Sequence, residues 1–229
     1  MDFSREFKIA LRVSIPVMMG YGVLGFAFGL LAISVGLPWY IAFFMSIIIY
    51  AGALQFLAVG FITAKTGFID IFISSFFVNI RQAFYGLSVL GKFKKTGKFK
   101  PYLIFGLTDE TYALLTTIKE DPQIKKKYYY FYLSILNQSY WILGTLLGAV
   151  FGSMVKFDTS GLEFSLTTLF VVLALEQYKT QKRYLPFLIG AGASLLAIIF
   201  VPVNNMLLVA IALALLGMFI FKKRFEDGK

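Results

Sequence analysis

Cysteine and histidine are both absent from the 229 residues. The first absence excludes disulfides, thiolate metal sites and cysteine nucleophiles. The second removes imidazole metal ligands, haem ligation through histidine and the commonest general base. Charge is also scarce: 15% of residues are charged and 59% are hydrophobic, whereas a soluble domain carries about 25% charged residues. No GxxxxGK[ST] run is present, so the chain is not expected to hydrolyse ATP. Nothing in the sequence groups as a metal constellation, and no cofactor is expected. An aspartyl intramembrane protease needs two separated deep aspartates, and only Asp109 is deep. The chain therefore reads as a non-enzyme.

Long apolar runs fill the space. They cover about residues 13–34, 39–63, 68–90, 101–118, 129–155, 164–178, 185–201 and 205–221. A span needs about 20 apolar residues. The expected fold is all-α: a polytopic membrane bundle of six to eight segments in a single transporter domain, 1–229. The N-terminal run is longer than a signal h-region and no small-residue cleavage site follows it. Residues 1–12 read as a short interfacial helix, with Phe3, Phe7 and Leu11 four apart and Arg5, Lys8 and Arg12 polar between them.

The net charge of +10 would suit nucleic acid, but the lysines and arginines flank apolar runs. That distribution fits positive-inside anchoring in a lipid bilayer and excludes nucleic acid as the partner. It also constrains topology. The basic clusters lie at the N-terminus and at 92–100, 119–127, 179–183 and 222–224. All five face the cytoplasm, with the N-terminus inside a plasma membrane, only if two segments do not simply cross. The first is 39–63, folded back at Gly52. The second is 101–118, which carries Asp109 and Glu110. Broken helices of this kind line the substrate sites of many transporters. Eight ordinary spans, or seven with an outside terminus, are the alternatives.

Arg81 is about 16 Å from Lys92 along a helix, near the middle of a hydrocarbon core about 30 Å thick. A cation at that depth faces protein, a partner or a substrate path. Ser75, Asn79, Gln82 and Gly86 form one stripe on its helix, and Arg81 and Tyr85 another. A helix polar on two sides belongs at the centre of a bundle. Asp109 and Glu110 point in different directions. One could bind a cation or carry a proton while the other caps a half-helix, and either could neutralise Arg81. Gln55, beside Gly52, could serve substrate or only an interhelical hydrogen bond. Asn137, Gln138 and Ser139 lean structural, as do Asn204, Asn205 and Glu176. Trp141 is too deep for an interfacial aromatic. Gly25 and Gly29 in one run, and Gly144, Gly148 and Gly152 in another, mark helix-packing faces inside the chain or against another subunit.

These segments resemble the AzlC-type branched-chain amino-acid permeases, the large subunit of an AzlC/AzlD-like exporter. The resemblance rests on Tyr50-Ala51-Gly52-Ala53-Leu54-Gln55-Phe56, on Asn79-Ile80-Arg81 with Tyr85-Gly86, and on Thr108-Asp109-Glu110. Pro16, Gly22 and Gly25-Phe26-Ala27-Phe28-Gly29 fit as well. The similarity covers about residues 15–115 and continues more faintly to 221. Gln82 departs from it, since many members have His after the arginine, a departure that bears on proton coupling. The resemblance implies export of branched-chain or similar apolar amino acids with a small AzlD-like membrane subunit of about four spans.

The chemistry of the residues agrees. Arg81 can hold a carboxylate, Asp109 or Glu110 an ammonium, and Phe and Leu side chains an apolar group. Gln55, Asn79, Arg81, Tyr85, Asp109 and Glu110 are the candidate binding or coupling residues. A channel, a facilitator or a membrane scaffold is the alternative.

Overall fold

The computed structural model describes residues 5–117, 124–154, 171, 175, 178 and 184–221. The described residues are helical, with no strand among them. The basic residues at 119–123, 179–183 and 222–224, the turn at 158–161 and Glu176 lie outside them. Two compact units are distinguished: 1–59 with 79–162, and 60–78 with 163–229.

The first unit is built on two long helices, α1 (Arg5–Ser34) and α7 (Lys126–Met154). Both are long and apolar enough to cross a membrane. The two glycine stripes face each other across their contact. A Cβ on Gly25 would lie 2.9 Å from the Trp141 carbonyl oxygen, and one on Gly144 would lie 2.9 Å from that of Tyr21. On Gly148 it would collide with the Phe26 backbone, and on Gly29 with that of Thr145 and Ala149. Small residues let the two backbones touch. The stripes are consumed inside the chain, so they give no argument for a second subunit. Residues 5–12 run into α1 without a break.

Both segments expected to be broken are broken. The 39–63 run divides into α2 (Trp39–Ile48) and α3 (Gly52–Thr63). The reversal falls at Tyr50, not at Gly52. Tyr50 has φ +41°, in the left-handed region that costs a non-glycine residue about 1–2 kcal/mol. Its side chain is buried near Tyr21, Tyr102, Thr108 and Glu110. Gly52 is instead small for packing, since a Cβ would meet the Trp141 ring at 3.0 Å. The two short helices form a V: Gln55 reaches Ser46 at 3.4 Å. In a straight helix nine residues rise about 13.5 Å, beyond the reach of these side chains.

The 101–118 run divides into α5 (Lys100–Phe105) and α6 (Asp109–Thr117). Thr108 caps α6, its Oγ1 accepting the Thr111 N–H at 3.3 Å. The cap is therefore the threonine and neither acid. Between them, α4 (Phe68–Phe93) contributes Asn79–Phe93 to this unit. Its end packs Val89 and Phe93 against Leu103, Leu107 and Tyr130. Phe84 and Leu87 are 63% and 65% exposed. The central helices of this unit are α1 and α7, not α4 as its two polar stripes suggested. One of those stripes is matched by α6, and the apolar side of α4 is left outward.

In the second unit α8 (Leu185–Phe200) and α9 (Val203–Ile220) pack as a pair around Pro202. A Cβ on Gly217 would meet Ile189 at 2.7 Å, and Ala193 and Ala197 are buried. Asn204 and Asn205 stand in the first turn of α9. Beside the two helices long enough to cross, α2, α3 and α8 are shorter apolar helices among the described residues.

Candidate functional site

The two breaks meet on the middle of α7. Ser134, the adjacent Asn137 and Gln138, Trp141 and Thr145 recur at steps of three or four and all are buried. Gln138 accepts a hydrogen bond from Tyr102 of α5 at 2.7 Å and donates to the Ile47 carbonyl of α2 at 3.3 Å. Trp141 donates to Gln55 of α3 at 2.9 Å. Asn137 donates to Thr111 of α6 at 3.0 Å. One helix thus satisfies polar groups from all four short helices. Backbone freed by a break in a hydrocarbon setting requires such partners.

Arg81 and Asp109 form an ion pair. Arg81 Nη2 lies 2.8 Å from Asp109 Oδ2, and the two side chains keep 40% and 33% of their exposure. Contact is made through one prong only: Arg81 Nε and Asp109 Oδ1 have no hydrogen-bond partner. Tyr85, one turn beyond Arg81, lies beside Asp109 and stacks on Tyr112 with centroids 4.4 Å apart. Lower rungs hold the same two helices, with Ser88 3.2 Å from the Tyr112 hydroxyl and Lys92 donating to the Leu115 carbonyl at 2.7 Å.

Glu110 faces elsewhere. Its Oε2 lies 2.6 Å from the Tyr21 hydroxyl of α1, which is 2.7 Å from Thr108 Oγ1. The Tyr50 hydroxyl is close to Glu110, Tyr21 and Thr108 but forms no hydrogen bond. The Tyr21 ring meets Trp141 edge-on at 5.3 Å. Adjacent acids at the start of one helix therefore have different surroundings: Asp109 holds a cation, and Glu110 holds hydroxyls.

The six candidates do not form one cluster. Arg81, Tyr85 and Asp109 come together, and Glu110 adjoins them through the chain. Gln55 is fully buried, with both ends of its amide used by Trp141 and Ser46. Asn79 lies two positions before Arg81, about 160° around the helix from it, and so does not share its face. The sequence reading missed Tyr21, Tyr50 and Thr111. Their signals were a lone tyrosine between Gly20 and Gly22, a tyrosine at the point of reversal, and a threonine one turn after the capping Thr108.

The sequence model of the AzlC protein matches residues 16–155. The chain belongs to the AzlC family. It is 35% identical over 224 residues to the Bacillus subtilis branched-chain amino acid transport protein AzlC, covering 97% of this chain and 88% of that one. An uncharacterized Helicobacter pylori membrane protein is 38% identical over 225 residues, covering 98% and 99%. The Escherichia coli inner membrane protein YgaZ is 30% identical over 186 residues, covering 78% and 76%. No solved structure matches the chain. The match to the AzlC model contains Gln55, Arg81, Asp109, Glu110 and the polar stripe of α7.

Proposed function

We propose that this chain moves a branched-chain or similarly apolar amino acid outward across the plasma membrane. In this reading it is a secondary transporter working with a small AzlD-like membrane subunit. The family and the name of the Bacillus relative support the substrate class. The observation that carries the reading is the single-pronged Arg81–Asp109 pair.

A zwitterion brings one carboxylate and one ammonium. Arg81 retains an unused Nε donor for the first, and Asp109 an unused Oδ1 acceptor for the second. The substrate replaces a contact between α4 and α6 with contacts of its own. No net charge is then left uncompensated at membrane depth, which keeps the exchange affordable in hydrocarbon. Tyr85 and the Tyr112 ring stacked on it offer an aromatic wall for the apolar side chain. Gln55 positions the broken α2–α3 segment against Trp141 and does not touch the substrate. Opening one ion pair to admit another is a two-state change that substrate can bias.

The test is thermal stabilisation of the purified protein by each of the twenty amino acids. A ligand that binds only the native state raises stability by about 2.7 kcal/mol at a hundred times its Kd. Stabilisation by leucine, isoleucine or valine above the polar amino acids is expected. No response to any amino acid would remove the reading.

A further inference from the structure

We propose that Glu110 is an exchangeable proton site, separate from the Arg81–Asp109 pair, and that its proton is coupled to substrate movement. The coupling half of this inference rests on the transport reading above. The site itself rests on charge balance and on a count of hydrogens.

The guanidinium of Arg81 is committed to Asp109 at 2.8 Å. Among the described residues Glu110 has no ion-pair partner; its neighbours are hydroxyls and its own backbone N–H. From α1 it faces Tyr21, and from the α2–α3 reversal Tyr50, with Tyr102 of α5 beside Tyr50. From its own helix it faces Thr108 and Asp109. From α7 the nearest polar group in the chain of contacts is the neutral amide of Asn137. An ionised carboxylate in this setting is one uncompensated charge in a membrane protein interior. The protonated form carries none.

Tyr21 has one hydroxyl hydrogen and two short contacts, at 2.6 Å to Glu110 Oε2 and 2.7 Å to Thr108 Oγ1. Thr108 Oγ1 continues to Thr111 Oγ1 at 3.1 Å, and Asn137 Nδ2 donates to that same oxygen at 3.0 Å. Three contacts need three hydrogens. With Glu110 ionised, Thr111 donates to Thr108, Thr108 to Tyr21, and Tyr21 to the carboxylate. With Glu110 protonated, every donor reverses: Glu110 donates to Tyr21, Tyr21 to Thr108, and Thr108 to Thr111. Both states fill all three contacts, because each hydroxyl both donates and accepts; in the protonated state the Thr111 hydroxyl hydrogen is the one released from the chain. A carboxyl tied only to non-reversible donors, such as N–H groups, would favour one state. Glu110 meets one fixed donor, its own backbone N–H, but its side-chain partners form a chain that accommodates either state and ends at Thr111, beside the Asn137 hydrogen bond that pins α6 to α7. One proton gained or lost at Glu110 thus reverses the hydrogen bonds that join Tyr21 of α1 to Thr108 and Thr111 at the start of α6, while Asn137 of α7 keeps donating to Thr111.

The test uses protein as purified from its native membrane, reconstituted in proteoliposomes. Two activities are compared: exchange of labelled for unlabelled leucine, and net leucine movement driven by an imposed proton gradient. For Glu110→Gln the expected result is loss of gradient-driven movement to background with exchange retained. Gradient-driven movement that persists in Glu110→Gln would overturn the proposal. Loss of exchange as well, in folded protein, would also overturn it and put Glu110 in the substrate path. Unaltered protein that exchanges leucine but ignores the gradient would overturn the proton site and leave the transport reading standing. Unaltered protein that moves no amino acid would instead remove the transport reading. Should the variant not fold, calorimetric leucine binding to unaltered protein in buffers of different ionisation heat gives the protons exchanged. A pH-dependent, non-zero number is expected, and zero throughout the stable pH range would overturn the proposal.

Discussion

Trp141 donates its indole N–H to Gln55 Oε1 at 2.9 Å, joining residues 86 positions apart, while its ring lies 3.0 Å from where a Cβ on Gly52 would be. The same tryptophan meets the Tyr21 ring. A single side chain on α7 thus locates the α2–α3 reversal and the phenol that serves Glu110. Gln55 completes this arrangement through Ser46 and has no amide group left for a substrate.

Removing the Gln55 amide should therefore be a stability lesion. Gln55→Ala leaves the Trp141 N–H buried and unpaired, at a cost of about 1–3 kcal/mol. Substrate affinity of the surviving folded protein should stay near that of the parent. Arg81→Ala should show the opposite pattern, with transport abolished in folded protein. Melting curves and leucine binding on both variants check the contrast, and normal transport by folded Arg81→Ala would show the site assignment to be wrong.

Asp109 and Glu110 are distinguishable by double-mutant cycles. Arg81→Gln with Asp109→Asn should be non-additive, with a coupling of about 1–2 kcal/mol because the pair is only partly buried. Arg81→Gln with Glu110→Gln should be nearly additive. The measurement is thermal stability in detergent for the three single and two double variants. Equal coupling in both cycles would mean that the two acids share Arg81.

The breaks were legible in the sequence because uneven charge made plain crossings of 39–63 and 101–118 inconsistent with positive-inside. The reversal point was not. A glycine is the usual marker of backbone freedom, yet Gly52 serves a ring contact and Tyr50 takes the left-handed conformation. Which acid meets Arg81 was also hidden, since neighbours on a helix point about 100° apart and either could face α4. The glycine stripes were visible, but their partner depends on which helices touch. Tyr21 escaped notice because a single hydroxyl in an apolar run gains meaning only from Glu110 and Thr108, which lie 89 and 87 positions away.

Glycines at the α1–α7 contact should tolerate no enlargement. Gly148→Val drives a side chain into the Phe26 backbone, and backbone on both sides leaves no rotamer to yield. A loss of about 3 kcal/mol is expected. Gly20, with nothing within 4 Å of an added Cβ, is the control, and Gly20→Ala should leave the melting temperature unchanged. Equal loss from both substitutions would contradict the packing.

The re-entrant topology predicts that the two basic loops flanking 101–118 lie on one side of the membrane. The chain has no native cysteine, so Thr96→Cys and Gln123→Cys can each be labelled cleanly. Both should resist an impermeant maleimide in intact cells and react after permeabilisation. Reaction of only one from outside would mean that 101–118 crosses.

In the proposed function the Arg81–Asp109 pair exchanges its own contact for the two charges of an amino acid. The direct measurement is calorimetric binding of leucine and two analogues to the purified protein: isoamylamine, which lacks the carboxylate, and 4-methylpentanoate, which lacks the ammonium. Leucine should bind, both analogues should be far weaker, and Arg81→Gln should lose leucine binding while staying folded. Equal binding of leucine and either analogue, or leucine binding unchanged in Arg81→Gln, would contradict the account.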